Sequence, residues 1–134
     1  MPPVRTFIVE DSPVIRDNLI AALEELADVQ VIGSAPDEVG AVSWLEQATG
    51  RFDLLIIDIF LKSGSGLGVL RAAAHSGLPA KRVVLTNYAT PDMRRRCEQL
   101  GADRVFDKSR ELEDLIAYCS RLADGAATSP GALG

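Results

Sequence analysis

Five residues along the chain have the types to do chemistry together: the adjacent acids Glu10 and Asp11, the lone Asp58, the hydroxyl of Thr86 and the ammonium of Lys108. Asp58 raises the first question. It follows Leu54, Leu55, Ile56 and Ile57, an apolar run that reads as buried, and soon gives way to the loop "KSGSG" at 62–66. A carboxylate beside a core loses solvation and, if isolated, takes up a proton rather than keep its charge. Several together are worse, because two like charges ~4 Å apart repel by ~4 kcal/mol at an effective dielectric of ~20. A cation relieves that cost. Oxygen-only ligands, partly hydrated and open on one side, favour Mg2+ over zinc or copper, so Glu10, Asp11 and Asp58 are the expected metal ligands.

Whether these residues meet depends on the elements that carry them. "TFIVE" (6–10), "VQVIGSA" (29–35), "DLLIIDI" (53–59), "RVVLTN" (82–87) and "DRVFD" (103–107) read as strands. Several of these are near-continuous in apolar residues, which predicts a sheet covered on both faces. The stretches between them carry helix punctuation. Ser12 before Pro13, Thr90 before Pro91, and Ser109 are placed as N-caps. Gly77, Gly101 and Gly125 stand where C-caps belong. Leu112, Leu115, Ile116 and Cys119 form an apolar stripe at helical spacing, and Trp44, with Val42 and Leu45, is expected to pack the second helix on the sheet. Alternation of strand and helix with right-handed crossovers predicts an α/β fold, a (βα)5 flavodoxin-like doubly wound parallel sheet of strand order 2-1-3-4-5. In that order a ligand site lies outside the carboxyl ends of strands 1 and 3, where the winding reverses. Glu10 and Asp11 end strand 1, Asp58 strand 3 and Thr86 strand 4, and Lys108 follows strand 5. One acid at one strand end means little, since loops are polar. The joint pattern is a poor fit to chance.

The rest of the composition narrows the function. The 134 residues fit one domain, expected over 1–124, with 125–134 as a flexible tail or the start of a linker. A net charge of −5 argues against a surface that neutralises phosphates, so direct nucleic-acid binding by this domain is not expected. No apolar run approaches the ~18–20 residues that span a bilayer, and the N-terminus lacks the features of a signal peptide. No membrane association and a cytoplasmic location are expected. Cys97 and Cys119 lack metal-ligand spacing and read as free thiols. His75, near a helix end, has no visible catalytic partners and reads as a surface residue.

The site residues resemble the receiver domain of bacterial two-component response regulators, over residues 4 to 123. "FIVEDSPVIRDNL" is similar to the family's acidic start, with Glu10 and Asp11 as the metal-binding pair. "LLIIDIFLKSGSGLGVL" resembles the phosphoacceptor strand and loop, with Asp58 as the nucleophile and Gly66 as the family glycine. "VVLTN" supplies a switch hydroxyl in Thr86, and "GADRVFDKS" a phosphoryl-contacting lysine in Lys108. The resemblance implies phosphorylation of Asp58 by a sensor histidine kinase or phosphotransfer protein. Mg2+ would be held by Glu10, Asp11, Asp58 and the backbone carbonyl of Phe60. It also implies a switching face around strand 4, helix 4 and strand 5, and a homodimer or output-domain contact through helix 4, strand 5 and helix 5. No enzymatic activity is implied beyond the domain's own phosphoryl transfer and dephosphorylation.

The chain departs from the commonest family pattern at several points. Lys62 stands where a proline is common, which predicts a more mobile loop with an added positive charge. Asn87 follows the switch threonine where a small residue is usual. Val105 occupies the aromatic switch position, with Phe106 assigned to the other face of the strand and Tyr88 as a substitute candidate. Ser109 replaces a proline. Arg94, Arg95 and Arg96 form either a solvated run or a partner surface with acids such as Glu111, Glu113 or Asp114. A dehalogenase-type phosphatase needs a second acid two residues after the nucleophile, where this chain has Phe60. A flavin carrier needs a phosphate loop after strand 1, where this chain has "EDSPVIRD". An atypical receiver, a phosphorylation-independent protein-interaction module, is the remaining alternative.

Overall fold

In the computed structural model, which describes residues 2–48 and 52–125, strands and helices alternate throughout. They run β1 (Val4–Val9), α1 (Pro13–Leu26), β2 (Val29–Ala35), α2 (Glu38–Gln47), β3 (Leu54–Asp58), α3 (Gly66–Ser76), β4 (Lys81–Thr86), α4 (Pro91–Gln99), β5 (Arg104–Asp107) and α5 (Leu112–Ala123). All strand pairs are parallel and the sheet order is 2-1-3-4-5, as expected. The tail expected over 125–134 lies, beyond Gly125, outside the described residues.

Period-2 alternation decides which core each strand residue joins. Phe7, Val9, Leu55, Ile57, Val84 and Val105 face the layer formed by α2, α3 and α4. Their chain neighbours Ile8, Leu54, Ile56, Val83, Leu85 and Phe106 face α1 and α5. Every residue of β3 is therefore buried, the result of helices on both faces. Val105 and Phe106 do lie in opposite cores. Trp44 stacks on Phe7 at 3.9 Å between ring centroids and meets Phe52 edge-on, anchoring α2 on the sheet. Cys97 and Cys119 are buried free thiols, and burial pushes the Cys119 thiol up to about 12, so it packs as an apolar group.

Ser12 and Thr90 cap α1 and α4, as the sequence predicts. Ser109 does not cap α5. Its hydroxyl and its backbone N–H both donate to Asp107 Oδ1, closing a local turn, and the helix starts only after Glu111. Leu112, expected in the apolar stripe, is 37% exposed, whereas Leu115, Tyr118, Cys119 and Leu122 form the buried face.

Candidate functional site

The parallel sheet brings the carboxyl ends of β1, β3, β4 and β5 to one rim, and each predicted residue stands there. Glu10 lies one residue past β1, pinned by its backbone N–H donating to Ala35 O at 3.0 Å. Asp58 and Thr86 are the last residues of β3 and β4. Lys108 follows β5, its backbone N–H donating to Thr86 O at 2.8 Å.

Carboxylate oxygens of Glu10, Asp11 and Asp58 lie within 4.8 Å of one another. Lys108 Nζ reaches across the rim and donates to Glu10 Oε1 at 2.6 Å and to Asp58 Oδ2 at 3.0 Å. Each acid also accepts a backbone N–H: Glu10 Oε2 from Ser12 at 3.1 Å, Asp58 Oδ1 from Phe60 at 3.2 Å, and Asp11 Oδ2 from Lys62 at 2.7 Å. These bonds answer the puzzle of Asp58, whose side chain is 9% exposed. A buried carboxylate is tolerated when it is both paired with a cation and hydrogen-bonded.

The electrostatics are asymmetric. Burial pushes the Glu10 carboxyl above its ordinary value, and the hydrogen bonds from Lys108 and Ser12 pull it back only in part. Burial would lower Lys108, but the Glu10 hydrogen bond and the Asp58 charge outweigh it together and hold the ammonium more firmly protonated than usual. Three carboxylates against one ammonium leave two formal negative charges uncompensated. An all-oxygen donor set with that residual charge fits a hard divalent cation, so the cluster could hold a metal ion.

Thr86 is fully buried, and its Oγ1 accepts from the Tyr88 backbone N–H at 3.1 Å. It lines the rim but is bonded to the β4–α4 loop and not to the acid cluster. Phe60 and Tyr88 are half or more exposed and meet edge-on, with centroids 4.8 Å apart. Gly66 lies close against the end of β3: a Cβ there would lie 2.2 Å from the Asp58 carbonyl oxygen. The expected loop mobility at Lys62 meets two anchors. The Lys62 amide is tied to Asp11, and the Gly66 amide donates to Ile59 O at 2.9 Å.

Two groups near the site escape a reading of motifs. Glu38, at the start of α2, accepts from Ser65 N at 2.8 Å. Arg94 donates to Ala89 O, Val105 O and Glu111 Oε1, joining α4 to β5 and to the segment before α5. The only hint of the first was the absence of side-chain bulk at Gly64 and Gly68. The pairing of Arg94 with Glu111, weighed as a contact with a partner, is made within the chain, and Arg95 pairs with Asp92.

The family model of the response regulator receiver domain matches residues 6–120. The chain belongs to this family. The receiver is 31% identical over 125 residues to an uncharacterized transcriptional regulatory protein of Bacillus subtilis, YvfU, covering 91% of this chain and 60% of that one. It is 23% identical to the response regulator UvrY of Escherichia coli, with 91% and 55% covered. The chain thus spans 55–60% of the length of these relatives. Among solved structures, the receiver superposes on a LuxR-family two-component response regulator from Aurantimonas with a TM-score of 0.81 at 20% identity, covering 92% of this chain and 86% of that one. The isolated RcsB receiver of Salmonella enterica gives 0.78 at 21% identity, with 92% and 90% covered. No helix among the described residues of the receiver is long and apolar enough to cross a membrane.

Proposed function

We propose that this receiver is switched by phosphorylation of Asp58, in a Mg2+-dependent reaction, by a sensor histidine kinase or a phosphotransfer protein. The observation that carries the reading is the buried Asp58 carboxylate at the end of β3, bridged by Lys108 to Glu10 and left beside two uncompensated negative charges. An Asp58 oxygen attacks the phosphorus of the donor. The new O–P bond forms as the donor's P–N or P–O bond breaks, and the leaving group departs with that electron pair. Glu10, Asp11, Asp58 and the Phe60 backbone carbonyl are the groups assigned to the metal. Bound there, Mg2+ supplies positive charge to the phosphoryl oxygens. Lys108 supplies a point charge to a further oxygen.

In this reading Thr86 conveys the change. Its hydroxyl leaves the Tyr88 amide to meet a phosphoryl oxygen, which releases the β4–α4 loop. Arg94 links that loop to β5 and to Glu111, so the shift is passed to the face formed by β4, α4 and β5. That face, extended by α5, is assigned to a second copy or to an output domain. The isolated RcsB receiver, a protein of this fold, has a structure in the presence of the phosphomimetic BeF3−, which supports the reading.

The test is intact mass after incubation with phosphoramidate, with and without Mg2+, for the wild type and Asp58→Asn. A Mg2+-dependent phosphoryl adduct that Asp58→Asn lacks is the expected result. A wild type that stays unmodified even with candidate kinases supplied would overturn the proposal and favour a phosphorylation-independent interaction module.

A further inference from the structure

The loop between β3 and α3 presents a mechanical difficulty. Its first half is held by burial, since Ile59 and Leu61 on either side of Phe60 pack against the core. Yet Ser63, Gly64 and Ser65 carry no side chain large enough to anchor the second half in that way. The anchor comes from another element. At the first residue of α2, the backbone N–H of Glu38 donates to Ser63 O at 3.3 Å, and its carboxylate Oε1 accepts from Ser65 N at 2.8 Å. One residue thus grips the loop on both sides of Gly64.

The surroundings are shaped to this side chain. Gly64 has φ of +78°, and a Cβ there would lie 2.5 Å from Glu38 Cβ. A Cβ at Gly68 would lie 2.3 Å from Glu38 Oε2. The carboxylate therefore lies along the first turn of α3, where negative charge is favoured by the helix dipole. The capping bond of its own helix is made by Asp37, which accepts from Gly40 N at 2.8 Å. The other end of the loop is held by Asp11, through the Lys62 amide. Asp11 is also assigned to the metal, so its carboxylate would be shared between that amide and a cation. Glu38 has no such second duty.

We infer that Glu38 is a positioning residue, a clamp that holds the β3–α3 loop so that Phe60 and Asp58 keep the geometry needed for metal binding and phosphoryl transfer. This rests on the proposed phosphorylation of Asp58. The experiment measures Mg2+ affinity by calorimetry and the rate of the Mg2+-dependent adduct with phosphoramidate, for the wild type, Glu38→Ala, Glu38→Gln, Gly68→Ala and Asp37→Ala. Glu38→Ala is expected to weaken Mg2+ binding about tenfold, the scale of lost outer-sphere support, and to slow the adduct by about tenfold or more. Glu38→Gln, which still offers an acceptor to Ser65 N, should stay within about threefold of wild type on the same scale. Gly68→Ala displaces only the end of the Glu38 side chain and favours the helix, so its thermal midpoint should hold while its rate falls. Asp37→Ala, a lost helix cap, should lower the midpoint and leave affinity and rate unchanged.

Glu38→Ala or Gly68→Ala with wild-type affinity and rate would overturn the clamp. So would a loss in Asp37→Ala that matches Glu38→Ala, or a Glu38→Gln as impaired as the alanine variant. A wild type that forms no Asp58-dependent adduct is a different failure, which removes the phosphorylation reading and this inference together.

Discussion

Lys108 Nζ sits between Glu10 and Asp58, and its side chain is only 13% exposed. Removing it leaves two buried carboxylates facing each other without a counter-charge. Breaking such a buried pair costs about 3–5 kcal/mol. Lys108→Ala is therefore expected to lose that much stability in metal-free urea denaturation, and to recover part of it when Mg2+ is added. A variant as stable as wild type without metal, or one indifferent to Mg2+, would show that the cluster is not held by this ammonium. At this scale the candidate residues were readable in advance, because Glu10, Asp11, Asp58, Thr86 and Lys108 each stand where a strand stops. The bonds they make were not. Thr86 turns out to serve the Tyr88 amide, and Asp11 the Lys62 amide, choices that depend on loop paths rather than on residue type.

Helix α4 and the start of α5 are coupled by Arg94 and Glu111. The Arg94 hydrogen bond, with help from the Asp107 backbone N–H, holds the Glu111 carboxyl below its ordinary 4.5. An acid whose folded-state value is lowered stabilises the fold fully above its ordinary value, and that contribution fades as pH falls through the lower folded value. The difference in thermal midpoint between wild type and Glu111→Gln should accordingly be largest above pH 4.5 and shrink in more acidic buffer. A difference that grows on acidification would contradict the pairing. The same region shows where local rules misplace an element. Ser109 has the type and position of an N-cap, but its hydroxyl is engaged by Asp107, and the helix waits until Leu112. Glu111, at the N-cap position, makes no side-chain cap bond either, because its carboxylate accepts from Arg94 and from the Asp107 N–H instead.

Across the whole molecule the sheet divides one core into two. Ile56 and Ile57 are adjacent in β3, yet the first packs with α1 and α5 and the second with α2, α3 and α4. Each should cost about 2–5 kcal/mol on replacement by alanine, measured by urea denaturation, since each leaves a cavity in a filled layer. In a sheet covered on one face only, one of the two would be nearly neutral. The molecule is thus a receiver whose site is built at the edge of a doubly covered sheet, where buried strands deliver side chains to a polar rim.

Strand and helix alternation, parallel order, the identity of the acidic trio and the opposite facing of Val105 and Phe106 all followed from the sequence alone. The elements and their faces rest on short-range regularities, a period of two in strands and punctuation at helix ends, which a linear chain displays directly. The strand order also leaned on crossover handedness and on the family resemblance. Tertiary structure alone decided that Lys108 bridges two carboxylates, that Arg94 joins α4 to β5 and Glu111, and that Glu38 holds a loop far along the chain. Long polar side chains have many reachable partners. Which one they take is set by distances between elements, and those distances exist only after both cores have packed.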